Sequence, residues 1–321
     1  MTELPTALVA LDWGTSSLRA YRMDAGGAIL QTRADGCGIQ HLPAPGEDGF
    51  EAAFEAICGD WLDAAPGPVP VVAAGMVGSA QGWREVPYLR CPAGPESLAA
   101  ASLSFETRKG RRVTIAPGLL MDGPDGAPDV MRGEEIQIAG TLAAHPEAAR
   151  DAMLVLPGTH SKWAQLEDGR VVHFATYMTG ELFAVLRAHS ILGRLMPQDG
   201  GGDPEAFGRG LERAREGGFS HALFSVRTLG LTGRIAPEGL ADYMSGLLIG
   251  HEVLSAAGEL DAGRPLFLVG EGALCRRYER ALEQLLGRAP AAQPGNPAPA
   301  GLFALAGAAG FLAGQTETSN V

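Results

Sequence analysis

Two stretches of this chain repeat one pattern, and that repeat limits the available architectures more than any other feature. Ala7–Asp24 (ALVALDWGTSSLRAYRMD) opens with an apolar run, breaks at Gly14-Thr15, passes through a polar patch containing Ser16, and resumes as a second alternating run. Met153–Asp168 (MLVLPGTHSKWAQLED) does the same around Gly158-Thr159, with Ser161 in its patch. Each reads as a strand, a tight turn and an antiparallel return strand. The first turn exposes backbone N–H groups and a hydroxyl beside Asp12, a combination suited to an anionic ligand with its metal. Two such hairpins facing each other are expected to hold the phosphates of one nucleotide between two domains.

The rest of the pattern supports a duplicated α/β chain. AILQTRADG from Ala28 supplies a third strand of the first meander, and Val171–Tyr177, after an Asp168-Gly169 turn, that of the second. Helical spacing is expected over 50–64, from Met131, and over 179–189, 204–216, 221–231, 238–257, 273–286 and 302–312. Further strands are expected at 69–74, 112–116 and 265–269. The turn-rich DGPDGAPD at 122–129 is expected as a boundary loop, and 315–321 as a frayed end. A length of 321 residues fits two domains, placed at 1–149 and 150–321, with the last helix free to pack back near the hinge. Neither GxGxxG nor a Walker A sequence occurs, so neither a Rossmann nor a P-loop site is expected.

A formal charge of -12 argues against a nucleic-acid partner, because phosphate backbones are met by clustered Lys and Arg. The most apolar window, 301–314, is too short for a bilayer, so no membrane partner is expected. The opening residues lack a basic signal-peptide region, and the 4 Cys are scattered without CxxC; both point to a reducing cytoplasm. The 7 His show no metal-ligand spacing. The oligomeric state is left open, with a homo-oligomer admissible.

Chemistry concentrates at five places. Asp12, at a strand end beside Gly14 and Thr15, suits Mg2+ held through water; the alternative is an Asx-turn residue closing a hairpin. The second turn has Pro157 in place of an acid, leaving Gly158, Thr159, His160, Ser161 and Lys162 to meet phosphates, with a surface strand residue as the alternative for Lys162. Arg132-Gly133-Glu134-Glu135 offers a base for a substrate hydroxyl, Glu135 ahead of Glu134, against the alternative of a solvated acidic helix start. The loop GMVGSAQGW, with Gly75, Met76, Ser79, Gln81 and Trp83, suits a polyhydroxylated ligand; the alternative is an ordinary flexible loop with Trp83 packed as core. Arg19, Arg84 and Arg132 are candidates for a substrate carboxylate, and Gly270 and Gly272 let a flat base or ribose approach closely.

DWGTSSLRAY, GMVGSAQGW, RGEE, LPGTHSKW, YMTGELFAVLRAHSIL, SGLLIGHE and LVGEGAL follow one another as they do in the 2-dehydro-3-deoxygalactonokinases, which this chain resembles over nearly its whole length. The resemblance implies an α/β fold of two ribonuclease-H-like (actin/hexokinase-type) domains around an interdomain cleft, binding ATP, Mg2+ and a sugar acid. It implies phosphate turns at Asp12–Ser16 and Gly158–Ser161, an adenosine turn at Gly270–Ala273, and a base at Glu134 or Glu135. The implied reaction transfers the γ-phosphoryl group to the 6-hydroxyl of 2-dehydro-3-deoxy-D-galactonate in galactonate catabolism. The alternatives within the superfamily are an ATP-gated partner-binding clamp and an exopolyphosphatase-like hydrolase.

Overall fold

The computed structural model describes residues 5–123, 126–199, 201–259, 263–270, 272–291 and 295–312; the end expected to fray, 315–321, lies outside them. Contacts divide the described chain into two units. The first takes the residues up to Asp151, 166–173 and those from Asn296; the second takes 152–165 and 174–295.

The first unit runs β1 (Leu8–Trp13), β2 (Leu18–Met23), β3 (Ile29–Asp35), α1 (Gly46–Asp63), β4 (Val71–Ala74), β5 (Leu89–Arg90), α2 (Pro95–Ala101), β6 (Leu103–Glu106), β7 (Arg112–Ile115), β8 (Leu119–Asp122), β9 (Pro128–Met131) and α3 (Glu134–Ala144). Its main sheet has the order β3-β2-β1-β4-β7-β6, and β5, β8 and β9 form a small second sheet. The meander β1-β2-β3 is antiparallel, whereas β1, β4 and β7 run parallel, the strand order of a ribonuclease-H-like unit. Parallel neighbours need both faces covered. Accordingly Leu8, Val9, Leu11 and Trp13 of β1 are fully buried, and edge strand β3 is mostly exposed.

The second unit runs β10 (Asp151–Leu156), β11 (Ser161–Glu167), β12 (Arg170–Tyr177), α4 (Thr179–His189), α5 (Pro204–Ala214), α6 (Phe219–Leu231), α7 (Leu240–Ala256), β13 (Leu266–Leu268) and α8 (Gly272–Leu286). The sheet order β12-β11-β10-β13, with β13 parallel to β10, repeats the first unit's opening. Asp168 and Gly169, both at positive φ, make the expected hairpin turn between β11 and β12. The final helix α9 (Ala298–Ala308) belongs to the first unit and crosses α3 at glycines. A methyl group at Gly140 would collide with the Pro297 carbonyl, and one at Gly301 with that of Ile136. No helix among the described residues is long and apolar enough to cross a membrane.

Three expectations need correction. The helix expected from Met131 starts at Glu134, because Met131 ends β9 opposite Leu119. The expected boundary loop at 122–129 instead joins β8 to β9 inside the first unit, its residues 124 and 125 lying outside those described. Trp83 belongs to the core: it is 4% exposed, stacks on Phe50 at 6.1 Å, and meets Trp13 and Phe105 edge-on at 5.9 and 4.9 Å. The rest of its loop hangs on this anchor, with the Trp83 backbone N–H donating to the Val77 carbonyl. Trp83→Ala is therefore expected to cost about 3–5 kcal/mol of stability. Chemical denaturation checks this, and a loss below about 1 kcal/mol would refute the core assignment.

Candidate active site

In the first unit the polar groups gather where β1 and β4 end. Asp12 stands opposite Ala74 in the parallel pairing and opposite Arg19 in the antiparallel one. Gly75 follows β4 at φ +95°, and a side chain there would press 2.8 Å from the Trp13 carbonyl oxygen. Gly133, at φ +106°, lies against the Gly75 backbone and launches α3. Both positions require glycine. They bring three segments together: the end of β1, the Gly75 loop and the Arg132–Glu135 helix start.

The first glycine turn is held from behind. Gly14 donates to the Ser17 carbonyl at 2.9 Å, while Ile39 and Gln40 donate to the Gly14 and Thr15 carbonyls. Thr15 and Ser16 are exposed, and their backbone N–H groups make no hydrogen bond within the described residues. The turn thus presents donors with no protein acceptor, as an anion requires. Asp12 is partly exposed, with Arg19 3.9 Å away; burial raises its carboxyl pKa and Arg19 opposes the rise. No cluster of three or more metal-ligating side chains occurs among the described residues, so a metal here would rest on Asp12, water and ligand oxygens.

The two glutamates at the start of α3 differ. Glu134 is half-buried and accepts from the Arg132 N–H at 3.1 Å. Glu135 is 1% exposed and accepts from the Gly133 N–H at 2.7 Å through Oε2, while its Oε1 has no partner. Burial, then the charge of Glu134, pushes the Glu135 carboxyl up to about 8. Arg132 donates to the Val86 carbonyl at 2.8 Å and lies over the Tyr88 ring, its Nε and Nη1 buried without partners. Arg84 is committed to Glu47. In the loop after β4, Met76 and Ser79 are half-buried, Gln81 is exposed, and the Ser79 hydroxyl accepts from the Gln81 N–H.

In the second unit, the Gly158 turn and Gly270 follow the parallel strands β10 and β13, and a side chain at Gly270 would lie 3.6 Å from the Pro157 carbonyl oxygen. Gly272 and Ala273 open α8 and are exposed. The start of α4 packs directly on the turn: a side chain at Gly180 would collide with the Gly158 carbonyl, and Glu181 donates its N–H to the Thr159 carbonyl at 3.0 Å. Beside these groups opens a cavity of about 300 Å³, lined by Gly158, Thr179, Phe183, Leu248, Leu274 and Arg277 among others. Arg277 is paired with buried Asp242 and rests on the Phe207 ring. Thr159 and His160 are exposed, His160 pairing with Glu181.

Ser161 and Lys162 are not at the surface of this turn. Ser161 is fully buried with its hydroxyl on Tyr278, and Lys162 is 4% exposed with Nζ on the Thr176 hydroxyl at 2.9 Å. The return strand begins at Ser161, so its side chains alternate into the packed faces of the sheet. Sequence reading missed Glu252, Tyr278, Asp242 and Arg277. Their helices showed only helical spacing, which says nothing of what lies above a given face.

A family model described as 2-keto-3-deoxy-galactonokinase matches residues 12–305. The 2-dehydro-3-deoxygalactonokinase of Escherichia coli K12 is 36% identical over 279 residues, 86% of this chain and 89% of that protein. The Rhizobium meliloti protein DgoK1, named for the same activity, is 36% identical over 85% of this chain and 88% of its own. A Sinorhizobium meliloti crystal structure assigned to this enzyme superposes with a TM-score of 0.82 at 33% identity, covering 93% of this chain and 98% of that one. A Clostridium difficile dehydratase activator, solved with ADPNP, shares the fold at a TM-score of 0.51 and 14% identity, with 98% of each chain covered. Fold and relatives together define a two-unit α/β sugar-acid kinase, a phosphotransferase that uses ATP. The chain belongs to the 2-keto-3-deoxy-galactonokinase family.

Glu135 gives the site a pH signature. Its native pKa, about 8, exceeds the ordinary glutamate value of 4.5, so the folded protein holds an extra proton between them. Stability from this group is complete below about pH 4, declines as pH rises, and is gone above about 8. The stability advantage of wild type over Glu135→Gln is expected to shrink from pH 6 to pH 9, read as denaturation midpoints. A difference that stays constant over that range would refute the burial argument.

Proposed function

We propose that this chain transfers the γ-phosphoryl group of ATP to the 6-hydroxyl of 2-dehydro-3-deoxy-D-galactonate, giving 2-dehydro-3-deoxy-6-phospho-D-galactonate and ADP within galactonate catabolism. The observation that carries the reading is a pair of glycine turns at equivalent strand ends of two like units, in a chain of this kinase family, with a near-neutral carboxyl at the start of α3.

In this reading the second unit holds the nucleotide. Gly158, Thr159 and His160 present backbone to phosphates, and Gly270, Gly272 and Ala273 border the adenosine beside the 300 Å³ cavity. The buried side chains of Ser161 and Lys162 support the turn from below. Asp12, with the free N–H groups of Thr15 and Ser16, fits Mg2+ and phosphate oxygens in the first unit; Mg2+ there would neutralise charge on the transferring group. The sugar acid is assigned to Gly75, Met76, Ser79 and Gln81. Arg132, with two unpartnered nitrogens, is assigned to the substrate carboxylate, and Arg19 is the exposed alternative beside Asp12.

Phosphoryl transfer asks the protein mainly for positioning and a group to take the hydroxyl proton. Glu135 is assigned that role, because it combines an oxygen without a partner and a basicity near neutral. At pH 7 it is mostly protonated, so kcat/KM is expected to rise about tenfold per pH unit up to about 8 and then level off.

The test is an ADP-release assay with Mg-ATP, offering 2-dehydro-3-deoxygalactonate, its gluconate epimer, or no acceptor. Preference for the galactonate form is expected. Equal rates on both epimers would make the substrate too narrow, and release indifferent to either acid would sink the kinase assignment. Glu135→Gln is expected to lower kcat by roughly 10²–10⁴. A larger loss in Glu134→Gln would move the base to that neighbour. Asp12→Asn is expected to lower turnover by a comparable factor, and a near-wild-type rate would remove it from the site.

A further inference from the structure

We infer that Glu252, on α7, is a positioning residue that pins the Gly158 turn to the wall of the neighbouring cavity, and so governs nucleotide affinity rather than phosphoryl transfer. The inference rests on the nucleotide site proposed for the second unit.

Four segments meet on this one carboxyl. Trp163 of β11 donates its indole N–H to Glu252 Oε1 at 2.8 Å, and Tyr278 of α8 donates its hydroxyl to Oε2 at 2.7 Å. Because the Tyr278 proton is given to Glu252, the Ser161 hydroxyl, 2.8 Å from the Tyr278 oxygen, donates to that oxygen. Thr179 stands close beside Glu252 and Tyr278, near enough for its hydroxyl to favour the charged form of each. Ser161 is the first residue after the glycine turn, Thr179 the first of α4, and Thr179 and Tyr278 both line the cavity. Ser161, Trp163, Tyr278 and Glu252 are all 3% exposed or less, so water does not substitute for any lost partner.

The arrangement suits a fixed acceptor. Indole and Tyr hydroxyl both give their protons to Glu252, so each carboxyl oxygen is held by a donor from a different element. Burial opposes ionisation and raises the Glu252 carboxyl, and the bonds from Trp163 and Tyr278, with the nearby Thr179 and Ser161 hydroxyls, only partly oppose the rise; no charged neighbour contributes. A buried carboxyl without a cation is a poor device for stability alone, since apolar residues of equal volume usually serve as well. A hydrogen-bonded network of this kind does fix geometry. Here the geometry fixed is that of a turn whose Gly158 has nothing within 4 Å of the place a side chain would occupy.

The test uses the full chain with ADP as the probe. Calorimetric ADP affinity and steady-state kinetics are compared for wild type, Glu252→Gln, Tyr278→Phe and Ser161→Ala. In Glu252→Gln, the ADP Kd and the KM for ATP are expected to rise together by about tenfold or more, because the amide NH2 replaces one of two buried acceptors and leaves its donor unpaired. The kcat should stay within about threefold and the sugar-acid KM within about twofold. Tyr278→Phe should act in the same direction, and adding it to Glu252→Gln should cost less than its separate effect, as coupled groups do. ADP affinity within about twofold of wild type in folded variants would overturn the inference. So would a fall in kcat or active fraction with Kd unchanged, the mark of a merely structural residue. If Glu252→Gln does not fold, Tyr278→Phe and Ser161→Ala are judged by the same limits. Absence of ADP binding to wild type would defeat the nucleotide site itself. Intact ADP binding without sugar-acid turnover would defeat the substrate assignment and leave Glu252's role standing.

Discussion

The parallel pairing of β1 with β4, and of β10 with β13, is the constraint on which the rest depends. Parallel strands end on the same edge of a sheet, so whatever follows them emerges side by side. In the first unit that edge carries Asp12 and Gly75; in the second it carries Gly158 and Gly270. Strand interiors buried on both faces cannot hold solvated polar groups cheaply, which leaves the strand ends as the place where chemistry is possible.

Glycine does a different job at each end. At Gly75 and Gly133 it admits backbone conformations and approaches that let the β4 loop and α3 reach the end of β1. At Gly158 it leaves an open face, and rigidity comes instead from α4 above and the Glu252–Tyr278–Ser161 chain below. The two units therefore place different groups on the same hairpin. One presents a carboxylate and bare N–H groups; the other presents backbone beside an apolar cavity, with its acid moved beneath the turn.

The carboxyls show how burial turns one residue type into several tools. Glu134 and Glu135 are neighbours in sequence, yet only Glu135 is enclosed, and enclosure together with the adjacent charge brings its pKa near neutral. Asp12 keeps some access to solvent and a nearby arginine. Glu252 lies as deep as Glu135 and burial raises its carboxyl too, but here donors from β11 and α8 hold both oxygens and oppose the rise.

By itself the sequence determined the two hairpins, their turns and most helices, which rest on local periodicity and on glycine, proline and Asp-Gly signals that act within a few residues; the family was legible separately, in the order of motifs from DWGTSSLRAY to LVGEGAL. It also marked Asp12, the Arg132–Glu135 segment and the Gly270 turn, because each adjoins such a signal. What only the tertiary structure decided is what faces what. Trp83 went to the aromatic core because Phe50 and Phe54 of α1 and Phe105 of β6 arrive there from two other elements. Ser161 and Lys162 turned inward because the strand resumes immediately after the turn. Glu252 lay unnoticed within SGLLIGHE, since helical spacing gives a residue its face but not the donors that other segments, 26 to 89 residues away along the chain, bring to it.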